Sequence, residues 1–175
     1  VMAALPELLT GRELRAFHNR RDALVGQGVA EELATRVAGL PPAYAALNIV
    51  ETAKRDELDA LEVARVHFAL GERLGLSGLT DRILMLPRDD RWQSMARAAL
   101  RDDLHAVHAQ LTAQVLAETD PGEPGPARIS AWEADDEVVV SRAVATLEEI
   151  CSDDQADLAR LSVGLRVVRT LLATP

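Results

Sequence analysis

The stretch EVARVHFALGERLGLSGLTDRILMLPRDDRWQSMARAALRDDL, residues Glu62 to Leu104, decides the fold. Glu62 to Leu74 places apolar side chains at Val63, Val66, Phe68 and Leu70, with charges at Glu62, Arg65, Glu72 and Arg73. That spacing predicts a helix with one broad buried face. Gly71 costs it roughly 1 kcal/mol against Ala, and Gly75 is a natural left-handed stop. Ser77-Gly78 reads as a turn and Leu79 to Leu86 as a short apolar helix. Pro87 ends that helix, because proline cannot continue one. Asp89 or Asp90 then caps a long helix running to about Glu118. Its expected buried stripe is Trp92, Met95, Ala96, Ala99, Leu100, Leu104, Val107 and Leu111. Trp92 is expected to plug the junction of the three helices, where truncation to Ala would cost roughly 3–5 kcal/mol.

Towards the N-terminus, Leu5 to Leu9 is a short apolar lead, and Thr10-Gly11-Arg12-Glu13 has the spacing of a capping box. The helix that follows is expected to bury Leu14, Phe17, Leu24 and Val25. Its other face carries Arg12, Arg15, Arg20 and Arg21, either a solvated face or a docking face for an acidic neighbour. Gly26 and Gly28 break this helix. A second helix, Val29 to Gly39, is expected to turn Leu33, Val37 and Leu40 inward, and Pro41-Pro42 to end it. Tyr44 to Lys54 predicts a third, carrying Leu47, Ile49 and Val50. Glu51 to Glu62 is a charge-dense bridge whose mixed signs suit an exposed junction.

Beyond the long helix, Thr119 to Ala127 reads TDPGEPGPA, with three prolines and two glycines in nine residues. Such composition predicts a loop. From Glu118 to Glu137 there are seven acidic residues against one arginine, so the segment is expected to be exposed. Ile129 to Cys151 then predicts a helix burying Trp132, Val140, Val144, Leu147 and Ile150. Asp153 or Asp154 is expected to cap the last helix. There Leu158, Leu161, Leu165, Val168 and Leu172 form a narrow seam. Its partner is the preceding helix, in an antiparallel hairpin, or another subunit.

The prediction is therefore an all-α fold: a bundle of about seven helices with a Pro/Gly-rich acidic loop before a C-terminal hairpin. Residues 1–118 hold the N-terminal helices and central motif, 119–128 the loop and 129–175 the hairpin, all in one domain. At 175 residues the chain is long enough to bury about 70% of its unfolded surface. Its side chains are 48% hydrophobic but only 3% aromatic, which points to close packing of Ala- and Leu-rich helices. A net charge of −9 argues against a nucleic-acid partner and against an anionic membrane surface. No apolar run nears the roughly 20 residues of a spanning helix, and no segment has the pattern of a signal peptide. With Cys151 the single cysteine, no internal disulfide is possible and a cytoplasmic location is expected. Val1 precedes Met2, which fits a vector remnant or a region cut from a longer protein.

Several pieces carry a resemblance: VARVHFALGERLGL at Val63–Leu76, ILMLPRDDRWQSMARAALRDDL at Ile83–Leu104, GQGVAEELATRVAGL at Gly26–Leu40, ALNIVETA at Ala46–Ala53 and LARLSVGLRVVRTL at Leu158–Leu171. Together they resemble the C-terminal region of the large bacterial NAD-specific glutamate dehydrogenases, the actinobacterial form above all. The resemblance implies a parent enzyme that oxidatively deaminates L-glutamate to 2-oxoglutarate with NAD as cofactor. It also implies assembly as a homo-oligomer and the remainder of the parent dehydrogenase as this region's partner. The chemistry would belong to a catalytic region absent here. Such a site needs several lysines and a glycine-rich strand-to-helix turn. This sequence has one lysine, Lys54. Its nearest glycine motif, Gly26-Gln27-Gly28, lacks the third glycine and follows a helical pattern, so it reads as a helix–helix turn.

No catalytic, cofactor-binding or metal-binding residue is therefore assigned, and the region itself is expected to bind no cofactor. Asp102, His105 and His108 are three apart and could share a helix face as metal ligands. The simpler reading is a polar strip beside the buried stripe. Cys151 reads as a small packing residue near the hairpin turn, because no motif places a base beside it. Three functions remain in view. The first is a non-catalytic structural, oligomerisation or regulatory region of the dehydrogenase. The second is a free-standing helical interaction protein. The third is a metal-dependent helical-bundle enzyme using Asp102, His105 and His108.

Overall fold

A computed structural model describes residues 11–172. The apolar lead Leu5–Leu9 and the capping residue Thr10 lie outside the described residues. Nine α-helices and no strand occur among those described. They are α1 (Gly11–Gly26), α2 (Glu31–Ala38), α3 (Leu40–Arg55), α4 (Ala60–Arg73), α5 (Leu76–Met85), α6 (Arg91–Glu118), α7 (Gly125–Asp135), α8 (Glu137–Ser152) and α9 (Leu158–Arg169). The described residues are all-α as expected, with nine helices among them where about seven were expected for the chain.

Helix α4 is the hub and packs against α1, α3, α5, α6 and α7. Asp59 starts it by accepting hydrogen bonds from the backbone N–H groups of Leu61 and Glu62, both at 3.0 Å. That satisfies two of the donors left open at a helix N-terminus. Val63, Val66, Phe68 and Leu70 are all buried, as their spacing predicts. At Gly75 the backbone has φ +66°, which only glycine adopts cheaply, and the chain turns directly into α5. Ser77-Gly78 is the first turn of that helix, and the reversal lies one step earlier than expected.

Proline acts as a start signal at two places where it was read as a stop. Pro41 and Pro42 open α3, because a missing N–H is harmless in the first turn. Pro124 and Pro126 likewise flank the start of α7, so the loop ends before Gly125 and not at residue 128. Buried Gly125 is required there. A Cβ at that position would sit 2.8 Å from the Arg65 carbonyl oxygen of α4.

Two faces are turned differently from expectation. In α2, Ala34 and Ala38 point inward, while Leu33 is more than half exposed and Val37 is also outside; Leu40, expected on the same face, instead begins α3 and is more than half exposed. Leu47 of α3 and Val25 of α1 are exposed as well. In α6, Leu100, Leu104, Val107, Leu111 and Val115 are buried, but Trp92 is 73% exposed. Trp92 therefore plugs nothing. At about 100° per residue, Trp92, Met95, Ala96 and Ala99 form a stripe rotated by roughly 100° from the buried one. The helix thus carries two apolar faces, and only the second enters the core.

The last two helices pair as expected, α9 against α8, but the single helix expected over Ile129–Cys151 is broken at Asp136 (φ −141°, ψ 43°) into α7 and α8; α9 also packs on α5 and α6. Leu161, Leu165 and Val168 are buried, whereas Leu158 at the start of the seam is exposed. Asp157 caps α9 through the Arg160 N–H at 3.0 Å, in place of Asp153 or Asp154. Gly164 lets α9 approach closely, since a Cβ there would lie 3.2 Å from Leu79 Cδ1.

Candidate functional site

The most concentrated polar chemistry in the interior lies where α4 crosses α6. His67 continues the buried face of α4, and His108 and Thr112 lie one turn apart on α6. The two imidazoles stack with centroids 3.6 Å apart and planes inclined by 18°. Thr112 Oγ1 donates its one proton to the His108 carbonyl at 2.8 Å. His67 Nδ1, 3.1 Å from that hydroxyl oxygen, must therefore be the donor to it. His108 Nε2 donates to the His67 carbonyl at 2.9 Å. This network fixes one tautomer for each ring and lets both stay neutral, His67 buried and His108 half-buried.

Burial holds both rings in that neutral state. It pushes His108 down to about 4, against the opposing pull of its bond to the His67 carbonyl and with a small push from His105. His67 is driven well below the ordinary histidine value by burial first and by its two histidine neighbours second. Half-buried His105 is lowered by the same desolvation and then by Arg101. Asp102 is exposed and pairs with Arg101 at 2.8 Å. The trio Asp102, His105 and His108 is thus divided between solvent and core. Among the described residues no group of three His, Cys, Asp or Glu side chains is placed to hold a metal ion.

A second polar construction was not foreseen. Arg128 of α7 is 2% exposed. Its Nε donates to Thr119 Oγ1 at 2.7 Å, and its Nη2 to the carbonyls of Leu116 at 2.8 Å and Thr119 at 3.1 Å. Nη1 pairs with Glu62 Oε1 of α4. One guanidinium thereby satisfies carbonyls at the C-terminus of α6, where a cation also complements the helix dipole. It ties three helices at one point. Sequence gave no local sign of it, because its partners lie 66 and about ten residues away. Arg82 of α5 repeats the device at the end of α8. It donates to the Cys151 carbonyl at 2.7 Å and to Asp154 Oδ1 at 2.7 Å.

Cys151 lines a shallow cleft with Glu72, Arg73, Leu74, Gly75, Val144, Leu147 and Glu148. The cleft volume is about 210 Å³, below the range of roughly 300–1,000 Å³ that encloses most small ligands. On α1, Arg15 and Arg20 are exposed and Arg21 pairs with Asp22 at 2.7 Å, while the Arg12 side chain lies outside the described residues. The Gly26-Gln27-Gly28 turn is a helix–helix turn. Val29 N–H bonds back to the Leu24 carbonyl and Gly28 N–H to that of Val25, a Schellman closure with Gly28 at φ +88°. Among the described residues no helix is long and apolar enough to cross a membrane.

Fold and interior together define an all-helical domain in which buried imidazole and guanidinium groups bridge helices. The chain belongs to the family described as glutamate dehydrogenase, C-terminal, whose model matches residues 1–170. It is similar to the NAD-specific glutamate dehydrogenase of Mycobacterium tuberculosis, with 39% identity over 170 residues, or 97% of this chain and 10% of that protein. The NAD-specific glutamate dehydrogenase of Pseudomonas aeruginosa is 34% identical over 167 residues, covering 95% of this chain and 10% of its own length. That of Halomonas elongata is 33% identical over 158 residues, again 10% of its length. The resemblance read from the motifs is thus borne out, and the chain spans about a tenth of the relatives it matches.

Proposed function

We propose that this chain is the C-terminal helical region of a large NAD-dependent glutamate dehydrogenase, where it serves packing and assembly and takes no part in hydride transfer. The parent would oxidise L-glutamate to 2-oxoglutarate and ammonia in the cytoplasm, as a homo-oligomer, with NAD bound elsewhere in the polypeptide. This region's partner would be the remainder of that polypeptide.

The observation that carries the reading is the use made of the interior polar groups. His67, Thr112 and Arg128 are engaged in bonds between helices. A dehydrogenase site needs open donors for a substrate carboxylate and a backbone cradle for a dinucleotide phosphate. A match along nearly the whole chain but only a tenth of each relative agrees with a supporting region.

The test is glutamate-dependent NAD reduction by two purified proteins: this chain alone and the full product of its reading frame. Turnover is expected only from the second. Turnover by this chain alone would overturn the non-catalytic role. A reading frame that ends without a dinucleotide-binding portion would favour a free-standing interaction protein.

A further inference from the structure

The leucine side of α2, turned away from the core, continues onto α3. Leu33 is 52% exposed, Val37 40%, Leu40 62% and Leu47 66%. Between the two helices the backbone stays in the right-handed helical region at Gly39, with φ −81° and ψ −7°, and the Gly39 N–H donates to the Thr35 carbonyl at 3.0 Å. One helical count therefore runs through both. At about 100° per residue, Leu33, Val37, Leu40 and Leu47 fall within an arc of about 80°. On the same count buried Ala34, Ala38, Ala46, Ile49 and Ala53 fall within about 120° on the opposite side. A single count sorts inward from outward residues on both helices, so the four exposed side chains form one stripe.

The spacing of the stripe selects the shape that covers it. Leu33 to Val37 is a step of four residues, Val37 to Leu40 of three, and Leu40 to Leu47 of seven. Those steps are the register of a coiled-coil seam, whose complement is a second helix. The charges select which helix. Glu51 lies on the line of the stripe, four residues beyond Leu47, and Arg36 flanks that line about 60° away. Both are exposed. In an antiparallel pair of two copies, Val37 meets Leu47 of the other copy, and Glu51 comes beside the other copy's Arg36. A parallel pair would set Glu51 against Glu51. Within one chain about 22 Å of helix separates Arg36 from Glu51, so the charge match exists only between copies.

We infer that Leu33, Val37, Leu40 and Leu47 form a self-complementary seam through which α2 and α3 pair antiparallel with the same helices of a second copy. This rests on the assembly role proposed above and supplies its surface and its partner. The two-fold axis repeats every contact, so the Glu51–Arg36 pair is made twice. Four apolar residues from each copy make a short seam, and the pairing is reversible on dilution.

The experiment is a charge swap in the full reading-frame product, with the mass of the assembly followed by light scattering during dilution. Arg36→Glu and Glu51→Arg each bring like charges together at both ends of the seam. Each should raise the concentration at which the assembly halves its mass by about tenfold or more. The double variant restores opposite charges and should return that concentration to within about twofold of the starting protein. Single variants that leave it unchanged overturn the inference. So does a double variant no better than the singles, which assigns the stripe to something other than a second copy. A product that is monomeric at every concentration overturns it as well. None of these outcomes bears on the dehydrogenase reading, which the turnover measurement decides separately.

Discussion

Replacing Arg128 by Met keeps the aliphatic stem and deletes the guanidinium. Four contacts vanish together: the Glu62 carboxylate, the Thr119 hydroxyl and the carbonyls of Leu116 and Thr119. Removing one partner of a buried, hydrogen-bonded ion pair costs about 3–5 kcal/mol, because the other charge and its neighbouring acceptors stay behind. Glu62 is 25% exposed and recovers some hydration, so the lower end, about 3 kcal/mol, is expected. Against a net stability of about 5–15 kcal/mol for a typical domain this is a large loss. Urea denaturation followed by helical circular dichroism measures it, with the slope unchanged if only stability is altered. The Glu62→Gln/Arg128→Met pair should cost less than the sum of the two single changes. A loss below about 1 kcal/mol, or strict additivity with Glu62→Gln, would refute the clasp.

The other expectations use the same assay. The unfolded chain protonates its histidines near 6.5, whereas His108 in the fold does so at about 4. Its stabilising contribution is therefore complete above pH 6.5 and is lost as pH falls towards 4, by about 3 kcal/mol. His108→Gln should flatten that slope by about one proton, and parallel profiles would contradict the buried neutral pair. Trp92→Ala should change the stability of this chain by no more than about 0.5 kcal/mol, as for an exposed site; a loss several times larger would place the indole in the core. Gly164→Val should cost about 1–3 kcal/mol by forcing α9 away from Leu79, and a neutral result would show that α9 can shift freely.

The central helices were legible because each buried face is regular and long. Val63, Val66 and Leu70 share one inward direction, and Phe68 widens it into the broad face that a helix packed on five others needs. Elsewhere the pattern underdetermines the face. In α2 the pairs Leu33/Val37 and Ala34/Ala38 share the same four-residue spacing, one position apart. Size favours the leucine side, yet the helix turns its alanines inward. In α6 two apolar stripes follow one another in sequence and read as one unless the rotation is summed residue by residue. Pro41, Pro42, Pro124 and Pro126 were taken as breakers because composition alone does not separate a helix start from a stop. Arg128 was hidden for another reason: a lone cation in an acidic, proline-rich segment looks solvated. His67 did leave a trace, since it shares a heptad face with Val63, Leu70 and Leu74, where a polar residue needs a partner.

The two faces of α6 also separate what folds the region from what it offers outward. From Leu100 to Leu116 the helix is held by apolar burial, the histidine stack and the Arg128 clasp. Those contacts suffice to place its axis. Nothing in that placement requires Trp92, Met95, Ala96 and Ala99 to be apolar, and polar residues there would keep the cap at Asp90 and lower the exposed apolar area. An apolar stripe left in water forgoes about 25 cal/mol per Å² of the free energy that its burial would contribute. Exposed apolar side chains are ordinary at protein surfaces, so the fold tolerates this stripe without needing it.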